Sequence, residues 1–305
     1  MRQIFIVNPV AGKKDYTEKL KKQLDALFEA DDYELYVTGK PGDARDMAAN
    51  LASCGEEMRL YAVGGDGTLN EVAEGACPYP NCAVGCLPSG SGNDFIKTFG
   101  IDKSLREHVE DLINGQEVLC DLIQVNGRTC INNLSVGFDA DICHMTRHLK
   151  KLPLLGGRLS YYFAVFICLL RRINSRLEIS IDGGEFMQNK YALAVAANGQ
   201  YYGGSFCPVP TADPCDGKLD FLVVNKLSRF SILKFIGRYQ KGTHLSIKKL
   251  CTAYTGSCMV VQAAKPFAMQ YDGETFLGTR MECRISPHKI RFIIPKTEEP
   301  THEDL

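Results

Sequence analysis

The rhythm of hydrophobic and polar positions changes once along this chain, near residue 122. Before that point short apolar runs alternate with stretches of helical periodicity. Gln3–Val7, Tyr33–Val37, Arg59–Val63 and Cys82–Leu87 read as strands, while Tyr16–Ala30, Asp43–Ala52 and Leu69–Glu74 read as helices. In the first helix Leu20, Leu24 and Leu27 recur on one face. Such alternation predicts an α/β domain over 1–122, a parallel sheet covered by helices. Ligands in such sheets sit at the carboxyl ends of the strands. After Asp121 turn signals crowd together. Val125–Cys130 reads as a hairpin, and Leu177–Asp182 with Lys190–Ala197 as another. Further strands are predicted at Leu219–Val224, Met259–Ala263, Ala268–Tyr271, Phe276–Leu277, Arg280–Ile285 and Ile290–Ile293, with helices at Leu159–Arg172 and Ser228–Lys241. Turns at this density predict a C-terminal antiparallel β-sandwich domain over 123–287.

Composition narrows the function classes. The chain has 305 residues, 45% hydrophobic and 23% charged, with a net charge of −1, so nothing marks a nucleic-acid binder. Its 13 cysteines are odd in number and lack Cys-x-x-Cys spacing. Met1-Arg2-Gln3 leads directly into a strand, so no signal peptide is expected, and the cysteines are expected to be reduced and cytosolic. Cys82 and Cys86 lie among apolar neighbours and read as buried small hydrophobes rather than a metal pair. The longest apolar run, Leu159–Leu170, is about half the ~20 residues of a membrane-spanning helix.

The most informative run is Gly64-Gly65-Asp66-Gly67-Thr68, placed between a predicted strand and a predicted helix. Glycines let backbone approach a bulky group, and a helix N-terminus presents free N–H groups that suit a phosphate. Asp66 repels phosphate unless a cation lies between them, which suggests a Mg-nucleotide. Asp66 is expected to be an exposed loop carboxylate that adds little to the core. No Gly-x-x-x-x-Gly-Lys-Ser/Thr occurs, and neither Gly65-x-Gly67 nor Gly90-x-Gly92 continues into a dinucleotide fingerprint.

The run resembles the Gly-Gly-Asp-Gly-Thr signature of the diacylglycerol kinase catalytic fold. Other segments extend the likeness in order: Asn8-Pro9-Val10-Ala11-Gly12, Thr38 to Ala44, Leu87-Pro88-Ser89-Gly90-Ser91-Gly92-Asn93-Asp94-Phe95, Asp213 to Asp220, and Asp272-Gly273-Glu274. Ser91 stands where the family usually has Thr, which keeps the hydroxyl. The resemblance implies a soluble, bacterial-type lipid kinase with a nucleotide-binding first domain and a lipid-substrate second domain. It also implies that the last strands or tail, near 288–305, return to the first domain.

Residue by residue, the resemblance implies a nucleotide site made of Asn8, Gly12, Thr38, Gly64, Gly65, Asp66, Gly67, Thr68, Asn70, Ser91, Asn93 and Asp94. Backbone N–H groups of Gly65 and Gly67 would cradle phosphates, and Asp66 would hold a catalytic Mg directly or through water. Asn93-Asp94 also reads as a helix N-cap, a role compatible with binding. Glu274 matches the family's general base, which takes the proton of the acceptor hydroxyl. A second, structural Mg is implied at Asp216 by side chain, with Asp213 and Lys218 by carbonyl; Asp213 could also bind through its carboxylate. ATP is the implied co-substrate.

Between Ile142 and Leu177 lie seven basic residues (Arg147, Lys150, Lys151, Arg158, Arg171, Arg172, Arg176) and no acidic one, around Leu152-Pro153-Leu154-Leu155. The stretch reads either as a transient contact with an anionic membrane surface or as a buried helix with solvated ends. The expected location is cytoplasmic, peripheral at the inner membrane surface; a homodimer stays open. Diacylglycerol is the expected acceptor. A phosphatidylglycerol-like or sphingoid lipid, an NAD kinase with Asn198-Gly199 in its pocket, and a non-catalytic nucleotide- or lipid-binding protein are the rivals.

Overall fold

The structure is a computed structural model that describes residues 1–12, 14–29, 32–150, 158–171 and 173–296. It divides into two compact units, Met1–Cys120 with the segment from His288, and Asp121–Pro287.

The first unit is a helix-covered sheet. Its elements are β1 (Arg2–Val7), α1 (Thr17–Leu27), β2 (Tyr33–Val37), α2 (Asp43–Ala52), β3 (Met58–Gly64), α3 (Asp66–Ala76), β4 (Cys82–Pro88), α4 (Asp94–Lys97), α5 (Val109–Ile113) and β5 (Gln116–Cys120). The second unit runs β6 (Ile123–Val125), β7 (Arg128–Cys130), β8 (Asn133–Gly137), α6 (Phe138–Leu149), α7 (Arg158–Leu170), β9 (Ser175–Ile181), β10 (Met187–Ala197), β11 (Leu219–Asn225), α8 (Arg229–Gln240), β12 (Cys251–Gly256), β13 (Cys258–Tyr271) and β14 (Glu274–Ile285). The chain then returns to the first sheet as β15 (Ile290–Ile294).

Strand order in the first sheet is β2-β1-β3-β4-β15-β5. All neighbours are parallel except β5, which runs antiparallel to β15. β3 and β4 are buried along nearly their whole length, as strands covered on both faces must be. Cys82 and Cys86 lie in that core, 3% and 2% exposed. Arg59 clips β3 to the far edge. It pairs with Glu117 at 2.8 Å and donates to the Ile113 carbonyl at 2.7 Å.

The second unit is an antiparallel β-sandwich. Its nine strands follow β12-β11-β10-β8-β13-β14-β6-β7, with β9 pairing to both β10 and β13. The long strands β10 and β13 each meet β8 over one end and β9 over the other, so the sheet folds back on itself. The period of two splits β10 between two cores. Ala194 and Ala196 face the sandwich interior with Phe221, Met259 and Val261. Leu193, Val195 and Ala197 face a helical layer that includes Ile142, Ala164, Ile232 and Phe235.

Several expectations need correction. Helix α3 begins at Asp66, three residues before Leu69, because Gly65 already serves as its N-cap. The predicted pair Met259–Ala263 and Ala268–Tyr271 is one strand, β13, whose register breaks between Gln262 and Phe267, around Pro266. Phe276–Leu277 and Arg280–Ile285 likewise join in β14. β5, β8 and β12 and the helix α6 went unpredicted. β8 is buried at all five positions and so shows no alternation. α6 opens on Phe138-Asp139-Ala140-Asp141, too polar for a core run. Ala30, Arg172 and 297–305, which fall in predicted helices or the tail, lie outside the described residues.

One carboxylate ties two hairpins of the sandwich together. Asp182, in the β9–β10 turn, accepts from the N–H of Ser257 at 2.8 Å, the hydroxyl of Ser257 at 2.9 Å and the N–H of Cys258 at 2.8 Å. These bonds, the Ser257 N–H foremost, hold its carboxyl below the usual aspartate range. A lowered native value contributes stability above the unfolded value near 3.9, and that contribution is lost as pH falls through the native value. Asp182→Asn tolerates the left-handed φ of 49° and keeps one acceptor. It should cost about 1 kcal/mol at pH 7, the low end because the site is exposed. The gap between wild type and variant in urea unfolding should close below about pH 4.

Candidate active site

The nucleotide motifs follow the carboxyl ends of four parallel strands, and backbone groups knot them together. After β1, the Asn8 N–H donates to the Val63 carbonyl at 3.0 Å, and its side-chain amide donates to the Thr68 hydroxyl at 3.0 Å. After β2, Thr38 donates its N–H to the Val7 carbonyl at 2.9 Å. After β3, the Gly64 carbonyl accepts from the N–H groups of Ser89 at 2.9 Å and Gly90 at 3.0 Å, which follow β4. The loops touch so closely that side chains would not fit. A Cβ on Gly90 would lie 2.4 Å from the Gly65 Cα, and one on Gly12, at φ 85°, 2.2 Å from the Ser89 carbonyl oxygen.

Asp66 closes the knot. Its carboxylate accepts from the Asn93 N–H at 2.7 Å and the Asp94 N–H at 2.5 Å, at the start of α4. Burial, and next the charge of Asp94, raise its carboxyl above the ordinary value, while the backbone N–H groups of Asp94, Asn93 and Phe95 pull it back. The expectation of an exposed loop carboxylate is therefore corrected: Asp66 is half-buried and holds two loops in register. None of Gly64, Gly65 and Gly67 has a positive φ, so these glycines provide room rather than a left-handed turn.

The remaining first-unit residues surround this knot. Thr68 and Asn70 are buried in α3, at 5% and 7% exposure. Asn93 is buried in a left-handed conformation at φ 54°, and its side-chain carbonyl oxygen finds no partner among the described residues. Asp94 pairs with Lys97 at 2.6 Å. Ser91 is exposed, and its carbonyl accepts from Lys103 at 2.9 Å. The N-terminus of α3, with Gly67 in its first turn, supplies unpaired N–H groups for an anion.

In the second unit Asp272-Gly273 is a two-residue hairpin turn at φ 42° and 87°, which joins Tyr271 to its ladder partner Glu274. The two carboxylates of this motif do different work. Asp272 turns inward and accepts from the N–H groups of Ile131 at 3.0 Å and of Asn132 and Asn133 at 3.4 Å each. Glu274 points outward, 57% exposed, with Arg147 of α6 at 3.2 Å. An exposed pair of this kind is weak, so Glu274 can change partners at little cost.

The Asp213–Lys218 loop precedes β11. Asp213 accepts from the Cys215 N–H and Asp216 from the Lys218 N–H, each at 2.9 Å. Beneath them Asp121, 1% exposed, accepts from the Gly217 N–H at 2.7 Å. Asp220 is raised by burial and then by the charge of Asp216. A loop that gathers carboxylates and backbone carbonyls fits a hard cation. Among the described residues no three His, Cys, Asp or Glu side chains form a metal cluster, so backbone carbonyls and water would complete the shell. Asp121 escaped sequence analysis. Its signal was a lone acid within the apolar run Leu119-Cys120-Asp121-Leu122-Ile123.

The diacylglycerol kinase catalytic domain model matches residues 2–125, and the YegS C-terminal NAD kinase beta sandwich-like domain model matches 132–294. The chain belongs to the family that joins a diacylglycerol kinase catalytic domain to a YegS C-terminal domain. A Staphylococcus aureus (strain Newman) protein named "Putative lipid kinase" is 27% identical over 236 residues, covering 77% of this chain and 76% of that protein. The fold is similar to a diacylglycerol kinase crystal structure from Bacillus anthracis str. Sterne. Its TM-score is 0.68 at 19% identity, over 96% of both chains. A yeast NADH kinase complexed with NADH has a TM-score of 0.50 at 13% identity, over 98% of this chain and 84% of that one. Asn198, the residue offered for a dinucleotide pocket, is 1% exposed, and its amide donates to the carbonyls of Asp121 and Ile131 at 2.8 and 2.7 Å. Its amide nitrogen is thus spent on holding the sandwich together.

Two outcomes follow for this family member. Asp66→Ala strips two backbone N–H groups of their acceptor and should lower stability by about 1–3 kcal/mol, read by urea unfolding. Mg alone, without nucleotide, should raise the melting temperature by binding the native state. That rise should vanish in Asp216→Ala; an equal rise in the variant would place the ion elsewhere.

Proposed function

We propose that this protein is an ATP- and Mg-dependent lipid kinase that phosphorylates a free lipid hydroxyl, diacylglycerol foremost, giving phosphatidic acid. The observation that carries the reading is the backbone knot at the N-terminus of α3, in a chain of this family. Phosphoryl transfer needs positioning and charge neutralisation more than covalent help. Asn8, Gly12, Thr38, Gly64–Thr68, Asn70, Ser91, Asn93 and Asp94 form or support a rigid floor for the phosphates. Mg, when bound, would neutralise phosphate charge, and Asp66 is the carboxylate assigned to it in this reading. Asp213, Asp216 and Lys218 are the residues for a second, structural ion. Glu274 takes the hydroxyl proton as the lipid oxygen bonds to the γ-phosphorus and the bridge to ADP breaks.

The second unit supports a lipid acceptor in two ways. Behind α6 lies an apolar cavity of ≈ 90 Å³, lined by Phe138, Ile142, Leu193, Phe206, Phe235 and Tyr239 among others. At its wall Asp139, raised by burial, accepts from the Tyr202 hydroxyl at 2.6 Å. Above it the helices α7 and α8 expose Tyr162 (65%), Phe166 (59%), Phe230 (85%) and Leu233 (63%). Arg229 of α8 caps α7 through the Leu169 carbonyl at 3.0 Å. Exposed aromatics beside arginine suit a transient contact with an anionic membrane surface from the cytoplasmic side. Among the described residues no helix is long and apolar enough to cross a membrane. Of the basic stretch, Lys151, Arg172, the run Leu152–Leu155 and the side chain of Arg158 lie outside the described residues.

Incubation with labelled ATP, Mg and an extracted lipid mixture should yield a labelled phospholipid. Glu274→Gln should cut transfer by about 10²–10⁴-fold with little change in ATP affinity. Loss of ATP binding in step with activity would move Glu274 to the nucleotide, and full activity would reduce it to a turn residue.

A further inference from the structure

The second unit has another cavity, of ≈ 690 Å³, which adds a group of charged side chains to an apolar lining. Its wall carries Arg171 after α7, Arg176 and Glu178 on β9, Gln188 and Lys190 on β10, and Lys265 in the irregular part of β13. Asp141 and His144 of α6 and Ser175 of β9 add to its polar lining. Four cations thus face two carboxylates. Among the described residues none of the four makes an ion pair, although the protein has many elsewhere. Glu178 does not neutralise them. Its two oxygens accept the side-chain amides of Gln188 at 3.0 Å and Gln262 at 2.9 Å.

The β9–β10 ladder shows why this arrangement calls for a ligand. Arg176 and Lys190 are direct cross-strand partners. The next pair on the same face is Glu178 with Gln188, joined by a hydrogen bond. Like charges set directly opposite destabilise a sheet, where an opposite-charge pair would support it. Here the pair stands at the exposed rim of a cavity, where water screens the repulsion to a modest cost, and Lys265 comes from a stretch where β13 has left its ladder. An anion between these side chains removes the repulsion.

The surroundings identify the kind of anion. Leu277, 60% exposed, lines the same cavity, and Leu170, 60% exposed, directly precedes Arg171. Cationic groups beside exposed apolar ones suit an amphiphile whose charge sits at the membrane surface. We infer that this cavity binds the phosphate of an anionic phospholipid headgroup. The lipid half of this inference rests on the membrane contact proposed above; the anion half rests on the ladder and the cavity alone. The phosphate recognised is a diester on a lipid, and free phosphate is the competing source of the same chemistry.

Binding without ATP separates this inference from the kinase reading, so the Glu274→Gln protein serves as the background. Sedimentation with phosphatidylcholine vesicles, with and without phosphatidylglycerol, measures the anion-dependent part. Lys190→Thr with Lys265→Gln should weaken that part about 30-fold, two basic residues' worth at a membrane surface. Lys248→Gln with Lys249→Gln removes equal charge at exposed positions outside the cavity and should change it less than about threefold if the cavity is the site. Equal losses in both pairs would reduce the effect to diffuse surface charge and overturn the inference. Melting curves give a second readout. Lys190→Thr alone should raise the melting temperature of the free protein, because the repulsion with Arg176 is gone. The same variant should lose the rise that monomeric dihexanoyl-phosphatidylglycerol produces in its parent. A rise of the same size with inorganic phosphate would make the cavity a free-phosphate site, and no rise with either would remove the site altogether.

Discussion

A carboxylate drawn partly out of water must be met by hydrogen-bond donors, and Asp66 meets this constraint with backbone N–H groups. By accepting from Asn93 and Asp94 it joins the loop after β3 to the loop after β4. The Gly64 carbonyl, accepting from Ser89 and Gly90, joins them a second time. Asn8 then draws in the loop after β1 through Thr68. The loops around the α3 N-terminus are thus held in register by hydrogen bonds among their own polar groups. Substituting any one of these positions would loosen the others. The tight glycines belong to the same logic, since Gly90 and Gly12 keep backbones in contact that a methyl group would part.

The second unit solves a different problem, which is to carry an outward carboxylate on a firm base. Asp272 performs for the β13–β14 turn what Asp66 performs for the loops, taking three backbone N–H groups at the entry to β8. Glu274 is thereby placed by the turn, and its side chain stays exposed beside Arg147. Two carboxylates of one motif thus differ, Asp272 bound to backbone N–H groups and Glu274 turned outward. Around them β10 serves two cores at once, its alternate residues filling the sandwich and anchoring the helical layer. The exposed aromatics of α7 and α8 are the outer face of that layer. Two cavities flank α6. One meets Phe138, Ile142 and Cys143, the other Asp141, His144 and Met145, so a single helix separates apolar from cationic surroundings.

Much of the first unit was legible in the chain. Strands buried on both faces are short apolar runs, and the glycine motifs sit at their ends, so periodicity and punctuation agree. The order of motifs carried the family, and the parallel sheet and the antiparallel sandwich follow from β-α alternation and from turn density. Local signals failed where burial was complete or polar. β8 has no alternation because every residue is inside, and α6 hides its helical stripe behind Asp139 and Asp141. β13 looked like two strands because Pro266 cannot donate to a ladder, although the strand resumes beyond it.

What only the tertiary structure decided was the work of individual polar groups. Sequence names Asp66, Asp272 and Asp121 as acids but cannot say that each faces backbone N–H groups from segments far along the chain. Nor can it say that Asn198 is walled in, or that Arg176 and Lys190 stand opposite each other without a carboxylate between them. The type of each element is set by neighbours within a few residues, where composition speaks directly. The partner of a buried charge is set by register and packing between distant segments, and register exists only once the sheet has formed.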